Sequence, residues 1–240
     1  MTEEQPNASA TSEDFEFAAL REAQKYRAAL IRQFSAWLRG NVIEVGAGIG
    51  QLTELLRTLP EMGRLVSVEP EPRFCAKFRQ SFPAQELIEG TIHNAPEAGP
   101  WHAILSVNVL EHILDDQAEL GAYQALLRPQ RGHLCLFVPA RPEIYAPLDR
   151  DFGHHRRYRR SELRTKLEQA GFECVRLRYF NFVGYFAWWV SFCLLRKRGF
   201  DARAVRWFDR WIFPPTHWLE SAVCAPPIGQ SLLAVARARP

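Results

Sequence analysis

The run Val42-Ile43-Glu44-Val45-Gly46-Ala47-Gly48-Ile49-Gly50 carries the densest chemical signal in the chain. An apolar stretch holding one acid ends in three alternating glycines. A strand that stops in such a turn lets a ligand approach the backbone, because glycine has no Cβ and accepts positive φ. A helix from Gln51 would point its free N–H groups back at that ligand. The spacing is GxGxG followed by Gln51, not the GxGxxG of a dinucleotide fingerprint. Glu69 closes the next apolar run. There a carboxylate can accept two hydrogen bonds from a ribose diol, though a surface glutamate in a β–α turn would look the same. Asn108-Val109-Leu110-Glu111-His112-Ile113 follows another apolar run and offers an amide, a carboxylate and an imidazole. The block Leu148–Tyr158 adds His154, His155, Arg156, Arg157 and Tyr158. An imidazole suits proton transfer near neutral pH, and paired guanidiniums suit a carboxylate or phosphate.

These groups need elements to position them. Apolar residues recur at helical spacing from about Glu13 to Leu38, with Tyr26, Leu30, Phe34 and Trp37 on one stripe. Strands are expected at Val42–Val45, Arg64–Val68, Glu86–Ile88, His102–Val107, Leu134–Val138, Cys174–Tyr179 and Leu232–Ala236. Helices are expected over 51–59, 72–82, 115–127 and 161–170, bounded by proline, glycine and capping residues. Strand–helix alternation with unalternating apolar strands predicts an α/β fold: a mostly parallel seven-stranded sheet with helices on both faces. Ligands on such sheets lie beyond the carboxyl ends of the strands, where Glu44, Glu69, Gly90 and Asn108 fall.

The 240 residues suffice for one large domain, read as 15–240 after a polar tail over 1–14 that lacks the apolar segment of a signal peptide. With 47% hydrophobic and 24% charged residues, wholesale disorder is excluded. A net charge of +3 gives no basis for a nucleic-acid partner. Five scattered cysteines with no CxxC read as reduced thiols in a cytoplasmic protein. The uncharged stretch Tyr179–Leu195 is too short to span a bilayer and reads as an interfacial helix at most, giving an expectation of peripheral membrane contact.

Taken in order, the glycine turn, Glu69, the Val109-Leu110-Glu111-His112 loop and Leu126-Leu127-Arg128-Pro129-Gln130-Arg131-Gly132 resemble the motifs of class I S-adenosylmethionine (SAM)-dependent methyltransferases. Gln130 and Arg131 stand where that pattern has a glycine. The Gly153–Tyr158 block resembles the "GHxRRY" of a branch related to ubiquinone and menaquinone biosynthesis. The resemblance implies a Rossmann-like fold with SAM as cofactor. Gly46, Ala47, Gly48 and Gly50 would face its methionine part, Glu44 would stand near its amino group, directly or through the backbone or water, and Glu69 and Pro70 would hold its ribose. Thr91 and Ile92 would flank the adenine, while Asn108 and Val109 close the pocket. Tyr26 would cover the methionine end or sit in the core stripe.

On the acceptor side His154 is the first candidate base and His112 the second. Glu111, Arg156, Arg157, Tyr158 and Trp188 are candidate substrate contacts. The arginines could equally pair with Asp149, Asp151 and Glu162 and only fix the loop. Glu111 and His112 could hold a divalent metal, but no HxxxH or dense carboxylate set supports one, so no metal is expected. The aromatic stretch 181–230 is read as a helical insert or lid before the last strand. It would bury its own aromatics, wall an apolar acceptor, or dock on a membrane through Trp188 and Trp189. The expected activity is methyl transfer to a small-molecule acceptor, most simply a hydroxyl or carboxyl oxygen of an apolar, aromatic or lipid- or glycan-linked metabolite. An N- or C-methyltransferase, an idle SAM-binding or membrane-docking module, and a nicotinamide oxidoreductase are the alternatives.

Overall fold

The computed structural model describes residues 21–96, 99–222 and 225–240. The tail over 1–14, the start of the expected first helix and Cys224 lie outside these residues.

Seven strands form one sheet: β1 (Gly40–Val45), β2 (Met62–Glu69), β3 (Glu86–Glu89), β4 (Ala103–Val107), β5 (His133–Pro139), β6 (Phe172–Phe180) and β7 (Ser231–Ala238). Their spatial order is β3-β2-β1-β4-β5-β7-β6. The β1–β2, β1–β4, β2–β3 and β4–β5 pairs are parallel, while β7 runs antiparallel between β5 and β6. The order reverses between β1 and β4, so the loops after these two strands diverge and leave a crevice.

Alternate strand residues feed two cores. One face (Ile43, Val66, Ile104, Leu134, Leu136) packs on α4 (Asp116–Leu127) and α6 (Arg160–Gln169) through Leu120, Tyr123, Leu163 and Leu167. The other (Val42, Leu65, Leu105, Phe137, Leu233) packs on α1 (Gln24–Phe34) through Leu30 and Phe34. Burial on both faces is why the strands read as continuous apolar runs.

The helix expected over 51–59 is corrected. Only Thr53–Leu56 (α2) is α-helical, and the chain tightens into i to i−3 bonds from Thr58 to Leu55 and from Leu59 to Leu56 before Pro60. The segment is too short to sustain a longer helix with a proline behind it. Helix α3 (Pro72–Ser81) starts on a proline and buries Phe74, Cys75 and Phe78. A short helix α5 (Pro147–Asp151) was not visible in the sequence. Arg131 takes a left-handed conformation at φ +50°, so the turn keeps the geometry that a glycine would favour there.

Between β6 and β7 the insert forms two helical runs. The first is α7 (Phe182–Trp188) continued by a π-helical turn, Trp189–Leu194. The second joins α8 (Ala202–Trp207), a π-helical turn Phe208–Ile212, and α9 (Phe213–Ala222). Its apolar nucleus (Trp188, Phe192) packs on Ile144, Leu148 and Phe152 near α5. Among the described residues no helix is long and apolar enough to cross a membrane.

Candidate active site

Two adjoining cavities open at the carboxyl ends of the parallel strands. The first, of about 390 Å³, is lined by Gly46, Ala47, Glu69, Pro70, Thr91, Ile92, Asn108, Val109 and Tyr26. These are nine of the twelve residues expected around the cofactor. Gly46, at φ +72°, has room only for hydrogen: a Cβ there would lie 2.3 Å from Val109 Cγ2. Val109 therefore closes directly onto the glycine turn. The turn and the acid are assembled together, since the Gly48 N–H donates to Glu69 Oε2 at 2.8 Å and the Glu71 N–H to Oε1 at 2.9 Å. A carboxylate has lone pairs beyond these two bonds, so Glu69 can still accept from a diol.

Three expected cofactor contacts do not line this cavity. Gly48 holds Glu69 from behind. Gly50, at φ +89°, packs against Phe82, 2.3 Å from where a Cβ would sit. Glu44 is buried beneath the turn, its Oε2 accepting from Thr53 Oγ1 at 2.6 Å and Ser67 Oγ at 3.0 Å. Burial pushes the Glu44 carboxyl up to about 7, against the lowering effect of the Thr53 and Ser67 hydroxyls. Folded protein thus holds this proton between the ordinary carboxylate value of 4.5 and about 7, where the unfolded chain releases it. Stability from this group is full below about pH 4.5 and is lost as pH rises through 7. In Glu44→Gln the difference in unfolding free energy between about pH 5 and about pH 8 should shrink by about 2–3 kcal/mol, read by urea titration at both pH values.

The second cavity, of about 370 Å³, is bounded by Glu111, Phe137, His154, Arg157, Trp188, Phe192, Phe200 and Phe208. It shares Tyr26, Asn108, Phe137 and Phe152 with the first. Asn108 sits at this junction with φ +52°, just beyond β4. Tyr26 meets Phe180 and Phe213 with ring centroids 5.3 and 5.1 Å away, so it packs in the core and walls both cavities.

Asp149, fully buried on α5, organises the second cavity. Its Oδ1 lies 2.9 Å from His154 Nδ1, and accepts from Arg157 Nε at 2.9 Å and Nη2 at 2.8 Å; Oδ2 accepts from the Ala146 N–H at 2.7 Å. The His154 and Arg157 hydrogen bonds and the Arg157 charge hold its carboxyl below the usual range, against its burial. An ionised Asp149 makes His154 Nδ1 the donor and turns Nε2 toward Glu111 Oε1, 4.0 Å away. Burial, with the nearby His154 and His155, drives His112 down to about 4, so it is neutral at physiological pH. The His112 and His154 rings meet edge to face at 4.7 Å. Glu111, His112 and His154 bring ligand atoms within 4.8 Å of one another, a set that could hold a cation. The sequence did not show this trio, because its third member lies 42 residues away from His112.

The other acceptor-side expectations divide. Glu111, Arg157 and Trp188 line the second cavity. Arg157 also spends its guanidinium on Asp149 and the Ala140 carbonyl and lies 4.4 Å from the Trp188 ring centroid. Arg156 and Tyr158 line neither cavity. Tyr158 is fully buried and donates to Asp116 and the Leu110 carbonyl, while Arg156 pairs with Asp116 at 2.9 Å. Both tie the 153–158 block to the loop after β4, as does the His155 N–H on the Glu111 carbonyl. Sequence reasoning offered Asp149 as a partner of the arginines, which Arg157 is, but missed its bond to His154 and missed Phe137, Phe152 and Phe74 as cavity walls. Phe137 is near the carboxyl end of β5, the register that could have found it.

The arrangement has known relatives. A sequence model described as "Methyltransferase domain" matches residues 18–177. A chain from the complex between a Haloferax volcanii methyltransferase activator and its methyltransferase superposes with TM-score 0.64 at 14% identity, covering 99% of this chain and 100% of that one. DhpI, solved in complex with SAH, gives 0.59 at 16% identity over 97% and 94%. A SAM-dependent methyltransferase from Archaeoglobus fulgidus gives 0.55 at 15% over 89% and 94%. No curated protein matches at a significant level. The glycine turn, the acid it holds and the cleft beside them fit SAM, and the chain belongs to the methyltransferase domain family as a class I, SAM-dependent enzyme.

Proposed function

We propose that this enzyme methylates an oxygen of an apolar small molecule bound in the 370 Å³ cavity. The observation that carries the reading is the junction of the two cavities at Tyr26, Asn108, Phe137 and Phe152, with the Asp149–His154 pair on the acceptor side. Glu69 and Pro70 would hold the ribose of SAM, Thr91 and Ile92 its adenine, and Gly46 and Ala47 its methionine part. When bound, SAM supplies a methyl group on a sulfonium to a nucleophile and departs as the neutral thioether. Phe137 and Phe152 exclude water from the junction, and Asn108 sits where an acceptor would be oriented. The acceptor hydroxyl gives its proton to His154 Nε2, and Asp149 steadies the imidazolium that results. His112, with its value near 4, is too weak a base to share this task at neutral pH. A well-placed nucleophile accounts for most of the acceleration, because holding it in line converts a bimolecular step into a unimolecular one.

The walls Trp188, Phe192, Phe200 and Phe208 favour an aromatic or lipid-linked acceptor over a charged one. The "GHxRRY" block supports a place in the ubiquinone- and menaquinone-related branch and a biosynthetic role, and the scattered cysteines, free where described, support a cytoplasmic one. Release of the demethylated cofactor is the assay, run with panels of apolar phenols, carboxylic acids and amines. Turnover on oxygen nucleophiles supports the reading; methylation of nitrogen alone would overturn it. In parallel, calorimetric titration of SAM into Glu69→Ala should show affinity weakened tenfold or more, about 1.4 kcal/mol. Unchanged affinity would remove Glu69 from the ribose.

A further inference from the structure

Twelve large hydrophobic side chains are exposed among the described residues, and nine of them belong to the insert between residues 186 and 219. Phe186, Trp189, Val190 and Leu194 fall at i, i+3, i+4 and i+8 along the first helical run. Trp207, Trp211 and Trp218 follow at i, i+4 and i+11 along the second. Four of the nine are tryptophans between 46% and 67% exposed. An ordinary solvent-facing helix scatters such residues singly; a concentration of them marks a surface that something covers.

The charges beside them say what. Arg196, Lys197, Arg198, Arg203, Arg206 and Arg210 are all exposed on the insert. Against six cations the insert has three carboxylates over 181–222, and two of these, Asp209 and Glu220, are buried. Arg198 and Arg206 make surface pairs with Asp151 and Glu22, which are worth little in water. Tryptophan bodies flanked by exposed cations in excess of the carboxylates are the composition of a helix lying in a headgroup layer. Neither run is long and apolar enough to enter further. Trp188, which the sequence paired with Trp189 for docking, is buried with its Nε1 donating to the Ile144 carbonyl, so the docking face is carried by Trp189 and the second run instead.

We infer that the outer face of the insert seats this chain on an anionic lipid bilayer. Ala187, Ser191, Ala204 and Val205 of the same two runs line the second cavity, Ala187 and Ala204 at exposed positions on its rim. An apolar acceptor dissolved in the bilayer thus has a route into the site that avoids water. That last clause rests on the acceptor reading above; the docking itself does not.

Flotation of the full chain with phosphatidylcholine vesicles, with and without phosphatidylglycerol, tests the inference. Wild type floats with the anionic vesicles, its tryptophan emission shifts to the blue, and added salt weakens binding. The triple substitution Trp207→Ala, Trp211→Ala and Trp218→Ala lowers vesicle affinity by about tenfold or more. Arg203→Gln with Arg210→Gln lowers it on anionic vesicles only. These residues line neither cavity, so SAM titration is unchanged in both variants and serves as the check on folding. Absence of flotation at low salt would overturn the inference, as would full retention of binding in the tryptophan variant. Sedimentation of the wild type as a dimer that the tryptophan variant dissociates would also overturn it, by giving the face to a second copy.

Discussion

Replacing Asp149 with alanine is expected to lower the unfolding free energy by about 3–5 kcal/mol, the cost of stranding a buried charge. The residue is fully buried, and three polar partners converge on it: the His154 ring, the Arg157 guanidinium and the Ala146 N–H. Arg157 is 4% exposed and faces the Trp188 ring on one side, so once its carboxylate is gone water cannot replace it without opening the cavity wall. For a chain of this length each kcal/mol moves the melting midpoint by about 2–4 °C, so calorimetry should show a drop on the order of 10 °C. Asp149→Asn keeps the shape and avoids a cavity, but it leaves the Arg157 charge without its carboxylate and turns an amide N–H toward a donor, so it should also be clearly destabilised, while losing the tautomer control of His154. An alanine variant within about 1 kcal/mol of wild type would mean that the pair is solvated in solution.

The second large effect is on the chemistry. His154→Ala should lower kcat by about 10²–10⁴, the usual contribution of a positioned general base. Because His154 lines only the acceptor cavity, calorimetric SAM affinity should stay within about twofold, which separates a catalytic loss from a folding loss. Asp149→Asn should reproduce part of the rate loss with the ring still present. A chelator should leave the wild-type rate unchanged. Loss of activity with EDTA and its return with magnesium would instead turn Glu111, His112 and His154 into ligands of a cation. A wild-type rate in His154→Ala would reduce the residue to a brace for the 149–158 block.

The cofactor half was legible because its chemistry is local. Gly46, Glu69 and Asn108 each follow a strand by zero or one residue, so periodicity alone places them on one edge of the sheet. What the spacing could not show is that Gly48 holds Glu69 and that Glu44 stays beneath the turn, since both depend on how β1 and β2 pair. The acceptor half was less legible for the same reason enlarged. Arg156, Arg157 and Tyr158 are adjacent in sequence, yet Arg157 turns to Asp149 while its neighbours turn to Asp116 on another helix. A run of basic residues reads as a binding patch until the partners of each are known. The insert's aromatics announced a function by number; which of them are core and which are surface depended on where its helices pack.

Asp209 gives the molecule a property beyond its packing. Helix α1 begins at Gln24 with no side-chain cap from its own sequence, and Asp209 supplies one from 184 residues away. Its two oxygens accept from the Lys25 and Tyr26 N–H groups at 2.9 and 2.8 Å. Tyr26 walls the cofactor cavity, while Asp209 belongs to the insert that covers the acceptor. The covers of the two cavities are therefore fastened to each other. Anything that moves the insert changes the free energy of the cofactor's cover, and by thermodynamic linkage the reverse holds to the same extent. Cofactor exchange and acceptor entry are in this way coupled through one carboxylate, which lines the acceptor cavity and caps the helix that walls the cofactor's.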